Sequence, residues 1–257
     1  MEYLVVTFVA FLASTLTLFS GFGLGTLLMP AIAVFFSVEL AVAMTAVVHL
    51  ANNLFKLGLL ARHADRQAVL RFGLPALATA FLGAWWLGQL SAGERFVEYA
   101  FGGWAFSVEA VSFIIGCVIL VFVVLELTPA FGRLAFDRRW LPLGGALSGF
   151  FGGLSGHQGA FRSMFLIKSG LSKEAFVATG VVLAVMVDVA RMLVYGVSLN
   201  AYAADINWLL VALATLAAFL GAFIGARLVK KVTLQWVQWM VSACLLMIGL
   251  GMVTGNI

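Results

Sequence analysis

Residues 141–168 read LPLGGALSGFFGGLSGHQGAFRSMFLIK, and the architecture turns on how this stretch meets a membrane. It is apolar and long enough to span a bilayer, but Gly152-Gly153-Leu154-Ser155-Gly156-His157-Gln158-Gly159 interrupts it. Arg133, Arg138 and Arg139 precede it, and Lys168 and Lys173 follow it. Short basic loops stay on the cytoplasmic side. The segment therefore enters and leaves by one face, as a hairpin broken at the glycines. Lipid cannot satisfy the backbone groups that such a break frees, so the break must face protein or a wet cavity.

The rest of the chain fits the same medium. Of 257 residues, 63% are apolar and 10% charged, against roughly 25% charged in a soluble domain. So few charges cannot cover a soluble surface, and continuous rather than alternating apolar runs select helices over a barrel. One membrane domain, 1–257, fills the chain. Met-Glu-Tyr at the start lacks the basic region of a cleaved signal, so the first apolar segment is expected to be retained. Cys117 and Cys244 sit inside apolar runs, as buried thiols rather than a disulfide. The net charge of +4 is a topology signal and does not imply nucleic acid.

Helices are expected over 39–60, 69–90, 105–127, 174–195, 206–228 and 234–253. Loops 61–71, 128–140 and 228–233 are basic and hence cytoplasmic, which puts both termini outside. Eleven of the fifteen Lys and Arg then lie inside and one, Arg95, outside; Lys56, Arg162 and Arg191 are within the membrane. Segment 3–36, broken at Ser20-Gly21-Phe22-Gly23-Leu24-Gly25, is a second hairpin or a pair of spans. Ala80-Phe81-Leu82-Gly83-Ala84 recurs as Ala218-Phe219-Leu220-Gly221-Ala222, and Asn53-x-x-Lys56 is echoed by Asp188-x-x-Arg191. The expected fold is an all-α inverted repeat, 1–130 and 138–257, each half a broken hairpin plus three helices. That is a pattern of secondary transporters, with substrate near the midplane where the interrupted helices meet.

The helix after each break offers N–H groups and a dipole to an anion. Gly21, Gly23, Gly25, Gly156 and Gly159 would let the backbone approach a ligand, or would simply permit tight helix packing. Phe22, His157 and Gln158 belong to the same breaks. Arg162 lies one turn beyond the second break, where its fork can hold a sulfonate or carboxylate by two hydrogen bonds. His49, Asn52, Asn53 and Lys56 share one helical face, which should line a cavity or the bundle interior. Asp188 and Arg191 form an i,i+3 pair that is either structural or, through Asp188, a proton site. No metal-ligand spacing, nucleotide loop or catalytic grouping is present, so neither an enzyme nor a cofactor is expected.

The stretches GFGLGTLLMP (21–30), AVVHLANNLFKL (46–57), GLSGHQGAFRSMFLIKSGLSKEAF (153–176) and VDVARMLVYG (187–196) resemble the sulfite exporter TauE/SafE family. That family is also called the 4-toluene sulfonate uptake permease family, and the chain is similar in size and look to its 4-toluene sulfonate branch. Leu24 and His157-Gln158 depart from the fuller GxGGG of many members. The resemblance implies a multi-pass transporter of the bacterial inner membrane for sulfite, sulfoacetate, thiosulfate or aryl sulfonates. Its partners are then a small anion, lipid and a co-transported cation, a proton being one option; an exporter or an anion channel is the alternative. An aryl substrate would want aromatic walls, for which Phe19, Phe22, Phe161 and Phe165 lie near the breaks.

Overall fold

A computed structural model describes residues 1–20, 24–91, 95–128, 134, 136–167, 169–199, 205–228 and 234–256. The first half runs α1 (Glu2–Ser20), α2 (Leu24–Ala33), α3 (Val38–Leu60), α4 (Arg66–Ser91), a β1–β2 hairpin (Arg95–Phe101, Trp104–Glu109) and α5 (Ala110–Leu127). The second runs α6 (Leu141–Ser155), α7 (Gly159–Leu166), α8 (Lys173–Leu199), α9 (Trp208–Leu228) and α10 (Leu234–Val253). Within α3, α4, α8 and α9 lie four stretches long and apolar enough to cross a membrane: Val38–Gly58, Arg66–Leu90, Lys173–Gly196 and Trp208–Gly225. At 1.5 Å per residue, the short arms α2 and α7, of 10 and 8 residues, span only about 12–15 Å. That is about half of a hydrocarbon core roughly 30 Å thick, so each arm is long enough only to run from its break to one face.

The second break has a local cause. Gly156 takes φ 81°, ψ −2°, a left-handed conformation that ends α6, and its N–H still donates to Gly152 O. Gln158 then precedes α7, with Arg162 N–H donating to Gln158 O at 3.2 Å. Gly21, Phe22 and Gly23 of the first break lie outside the described residues.

Helices of the two halves interlock. α4 packs along α6, α1 along α9, α3 against α8 and α9, α4 also against α8, and α5 against α10. Small residues set the closest approaches. A Cβ on Gly145, Gly149 or Gly153 would collide with the carbonyls of Phe72, Ala76 and Ala80, and one on Gly83 with that of Phe150. In the α1–α9 pair, Gly221 and Gly225 press on the carbonyls of Phe11 and Thr15 in the same way. Lipid gives no hydrophobic drive for helix association, so close backbone contact of this kind supplies it. Large apolar side chains instead face outward, among them Leu4, Phe8, Leu70, Leu74, Leu82, Leu216 and Leu220, with Trp85, Trp86, Trp140 and Trp208 also exposed.

One expectation is corrected. The helix placed at 105–127 begins at Ala110, and 104–109 is β2, paired antiparallel with β1 through the two-glycine turn Gly102-Gly103. Both turn glycines have positive φ, as a tight hairpin requires. Tyr99 Oη donates to Thr254 O at 2.6 Å, so the hairpin caps the C-terminal end of α10. At that same end Asn207 Nδ2 donates to Tyr3 Oη at 2.8 Å. The opposite end carries Asp65, whose N–H donates to Thr179 Oγ1 at 2.9 Å and whose carboxylate accepts from Arg138 at 2.7 Å.

Candidate functional site

The polar face of α3 points into the bundle. His49, Asn52, Asn53 and Lys56 are all buried, while Leu54 and Phe55 on the other side are exposed. α8 meets this face with Asp188 and Arg191, both 0% exposed. Asp188 is the hub. Its Oδ2 lies 2.6 Å from His49 Nδ1 and accepts from Asn53 Nδ2 at 2.9 Å. Its Oδ1 accepts from Gln158 Nε2 at 3.3 Å and lies 2.9 Å from Arg191 Nη2 as an ion pair. Gln158 extends the chain, because its Oε1 accepts from Arg162 Nη1 at 3.4 Å. Arg162 is half-buried, and its side chain lies over Gly180 of α8.

The two breaks reach this cluster. A Cβ added to Gly25 would lie 3.5 Å from Gly156 O and 3.8 Å from His49 Cδ2. A Cβ on Gly156 would lie 2.9 Å from Arg191 Nη1. Gly25, Gly156, His49 and Arg191 therefore surround one point where the breaks approach each other. From α1, Ser14 Oγ donates to Asn52 Oδ1 at 3.4 Å. Gly159 opens α7 and is buried. Lys56 closes the α3 face, within reach of Arg162's charge.

His157 is held at the break by Nδ1, 3.1 Å from both Ser155 O and Ser155 Oγ. Its ring stacks on Phe122 at 5.7 Å, and Phe122, Phe151 and Phe161 contact one another with centroids 5.2–5.7 Å apart. This aromatic wall was only partly expected. Phe161 belongs to it, but Phe122 of α5 and Phe151 of α6 were missed, since Phe is abundant and nothing in their spacing marks them. Phe165 packs elsewhere, on Phe136 and against Gly144. The side chain of Phe19 and all of Phe22 lie outside the described residues.

Several polar groups in the cluster are buried without a hydrogen-bond partner among the described residues: the donors Asn52 Nδ2 and Nε and Nη2 of Arg191, and His157 Nε2, the lone-pair nitrogen of a ring whose Nδ1 faces Ser155 O. Arg191 Nη2 is close to Asp188 but misaligned for a bond. A buried donor left unmade costs about 1–3 kcal/mol, so a site with several of them suits a ligand rich in acceptors. The set holds three cations, Lys56, Arg162 and Arg191, against one carboxylate. Electrostatically it fits an anion. Among the described residues no group of His, Cys, Asp and Glu is placed to hold a metal.

No curated protein and no solved structure matches the chain. Over residues 6–252 it matches the family described as Sulfite exporter TauE/SafE. That span takes in both glycine-rich breaks of the sequence, the polar face of α3 and the Asp188–Arg191 pair, and on it the chain belongs to the sulfite exporter TauE/SafE family of membrane transporters.

Proposed function

We propose that this chain is a secondary transporter that carries sulfur-containing organic anions across the bacterial inner membrane, by uptake coupled to a cation. The substrates are sulfonates such as 4-toluene sulfonate, or sulfite and sulfoacetate. The observation that carries the reading is the buried excess of cations and unpartnered donors where the two breaks meet. The anion would sit against Gly25, Gly156 and Gly159, together with Gly21, Phe22 and Gly23. Arg162, Gln158, Asn52 and Asn53 would contribute donors, His157 and His49 would line the site, and Lys56, Asp188 and Arg191 would set the charge around it. The Phe122–Phe151–Phe161 wall beside His157 would take an aryl group.

The two halves, 1–130 and 138–257, are read as inverted repeats. What supports this is the exchanged packing, in which the hairpin arm of each half lies on the fourth helix of the other (α1 on α9, α6 on α4). Repeats built this way rock against a fixed central site.

Export is the second reading, favoured by the description of the matched family. An anion moving inward opposes an inside-negative potential by about 2.3 kcal/mol per charge per 100 mV, so uptake needs a cation and export does not. A thermal-shift panel of sulfite, thiosulfate, alkyl and aryl sulfonates and carboxylates should show stabilisation by one sulfur-anion class. Vesicles containing the protein should then concentrate that anion under an imposed proton gradient. Movement only down the anion's own gradient would make it a channel, and accumulation driven by potential alone in the outward sense would make it an exporter.

A further inference from the structure

His49 stands between the acidic hub and the breaks. Its Nδ1 lies 2.6 Å from Asp188 Oδ2, and its Cδ2 edge faces Gly25 beside Gly156 O. A neutral imidazole has one donor nitrogen and one acceptor nitrogen. The short contact to a carboxylate assigns the hydrogen to Nδ1, which leaves the Nε2 lone pair on the ring's far side from the hub. Asn53 Nδ2 lies 3.0 Å from Nδ1 and donates one hydrogen to Asp188 Oδ2 at 2.9 Å; its other hydrogen reaches Nε2 only at the 3.5 Å limit, a contact that a proton on Nε2 would displace.

Resting on the transport reading above, we propose that His49 carries the coupling proton, taking up one proton at Nε2 with each anion that binds at the breaks. Charge bookkeeping gives the coupling its sign. His49 meets Asp188 and Asn53 directly and feels the charges of Arg191 and Arg162; Asn52 and Lys56 of α3, with Gln158 and His157 at the second break, complete the buried polar cluster. α2 brings no titratable side chain, and α1 brings Ser14. In the empty site three cations oppose a further positive charge and only Asp188 favours one. An anion at the breaks adds the negative charge that makes the imidazolium the preferred form. By linkage the proton strengthens anion binding to the same extent. Asp188, held by His49, Asn53, Gln158 and Arg191, keeps its charge through the cycle.

The step balances simply. An N–H bond forms between the Nε2 lone pair and a proton from the outer water; it breaks to the inner water, and the lone pair returns to Nε2. Nothing is oxidised or reduced. A singly charged sulfonate entering with one proton moves no net charge, so the membrane potential no longer opposes its entry.

The test uses 4-toluene sulfonate, with methanesulfonate as the smaller probe. Both are strong-acid anions that carry no proton themselves, so any proton that moves with them moves through the protein. Purified protein in vesicles loaded with a pH dye is given the anion outside, and proton and anion entry are measured together. Wild type should take up about one proton per anion, and calorimetry in two buffers of different ionisation enthalpy should give the same proton uptake on binding. His49→Gln should bind and carry the anion less well, and whatever it binds or carries should come without a proton.

Anion entry without proton entry in wild type, or an undiminished proton-to-anion ratio in His49→Gln, overturns the proposal and leaves the transport reading standing. Failure of wild type to bind or exchange either sulfonate overturns both. Should His49→Gln neither bind nor carry the anion, nitrogen NMR of histidine-labelled wild type decides. One imidazole becoming doubly protonated on adding the sulfonate supports the proposal, and three unchanged imidazoles overturn it.

Discussion

Arg162 and Arg191 share one hydrogen-bonded chain but differ in what they can release. Arg191 is wholly buried and ion-paired to Asp188 within its own helix. A charge at this depth costs about 2.5–3.5 kcal/mol even on the cheaper insertion scale, so such pairing is what lets it stay. Arg162 is half-buried, and its guanidinium donates to Gln158 Oε1 across a long 3.4 Å contact, which a ligand can replace at little cost. Arg162→Ala should therefore weaken anion binding by about ten- to a hundredfold, the equivalent of a charge-assisted contact of 1.5–3 kcal/mol. Arg162→Lys should recover only part of that, because an ammonium lacks the two-pronged fork. Titration calorimetry on monodisperse protein measures both, and unchanged affinity in Arg162→Ala would leave the anion to the backbone and other donors. Much at this scale is legible in sequence. The α3 face follows from helical periodicity, and Asp188–Arg191 from an i,i+3 spacing. The His49–Asp188 contact is not legible, since it joins residues 139 apart and no spacing rule relates them.

Among the elements, glycine placement and capping determine which helices meet and where they start. Gly149 lies where a Cβ would strike the Ala76 carbonyl, whereas nothing lies within 4 Å of a Cβ on Gly58. Gly149→Ala should force α4 and α6 apart at a cost of about 1–3 kcal/mol. Gly58→Ala should be neutral or slightly stabilising, because alanine is the better helix former. Thermal unfolding in one detergent compares the two, and equal melting temperatures would contradict the packing. Asp65 caps α4: its Oδ1 accepts the Ala68 N–H at 2.6 Å and an Arg138 bond at 2.7 Å. The Ala68 N–H first, and then Arg138, hold this carboxyl below the usual carboxylate range against the opposing effect of its burial. A depressed folded value gives stability that is present above the unfolded carboxyl's roughly 3.9 and lost as pH falls through the folded value. Asparagine keeps the cap but not the charge. Asp65→Asn should thus cost at most about 1 kcal/mol near neutral pH, for a partly exposed pair. Its melting temperature should begin to approach that of wild type as pH falls below roughly 4, and meet it only below the folded carboxyl's lower value. A gap that persists in acid would mean the charge is not what matters. The β1–β2 hairpin shows what apolar composition hides. Phe106 and Val108 read equally well as the start of a span, and only the Gly102-Gly103 turn marks them as part of a strand.

At the scale of the whole molecule, the two ends of the bundle differ in chemistry, and that difference predicts orientation. One end gathers Arg62, Arg66, Arg71, Arg138, Arg139 and Lys173, stapled through Asp65 to Arg138 and Thr179. The other end has the β1–β2 hairpin tied to Thr254, and Tyr3 tied to Asn207. Juxtamembrane basic residues are held on the cytoplasmic side during insertion. The first end is accordingly expected inside, with both termini and the hairpin outside. Three crossings in each half then require the halves to run oppositely through the bilayer, so the orientation and the inverted repeat stand or fall together. His63 and Ala105 are exposed at opposite ends and touch no part of the site, which makes each a fair reporter. In a background with Cys117 and Cys244 replaced, Ala105→Cys should react with a membrane-impermeant maleimide added to intact cells. His63→Cys should react only after permeabilisation. The reverse pattern would invert the molecule, and labelling of both from outside would mean that α4 does not cross. In that case the two breaks, and the Gly25–Gly156 approach with them, could not be presented alternately to the two sides of one membrane.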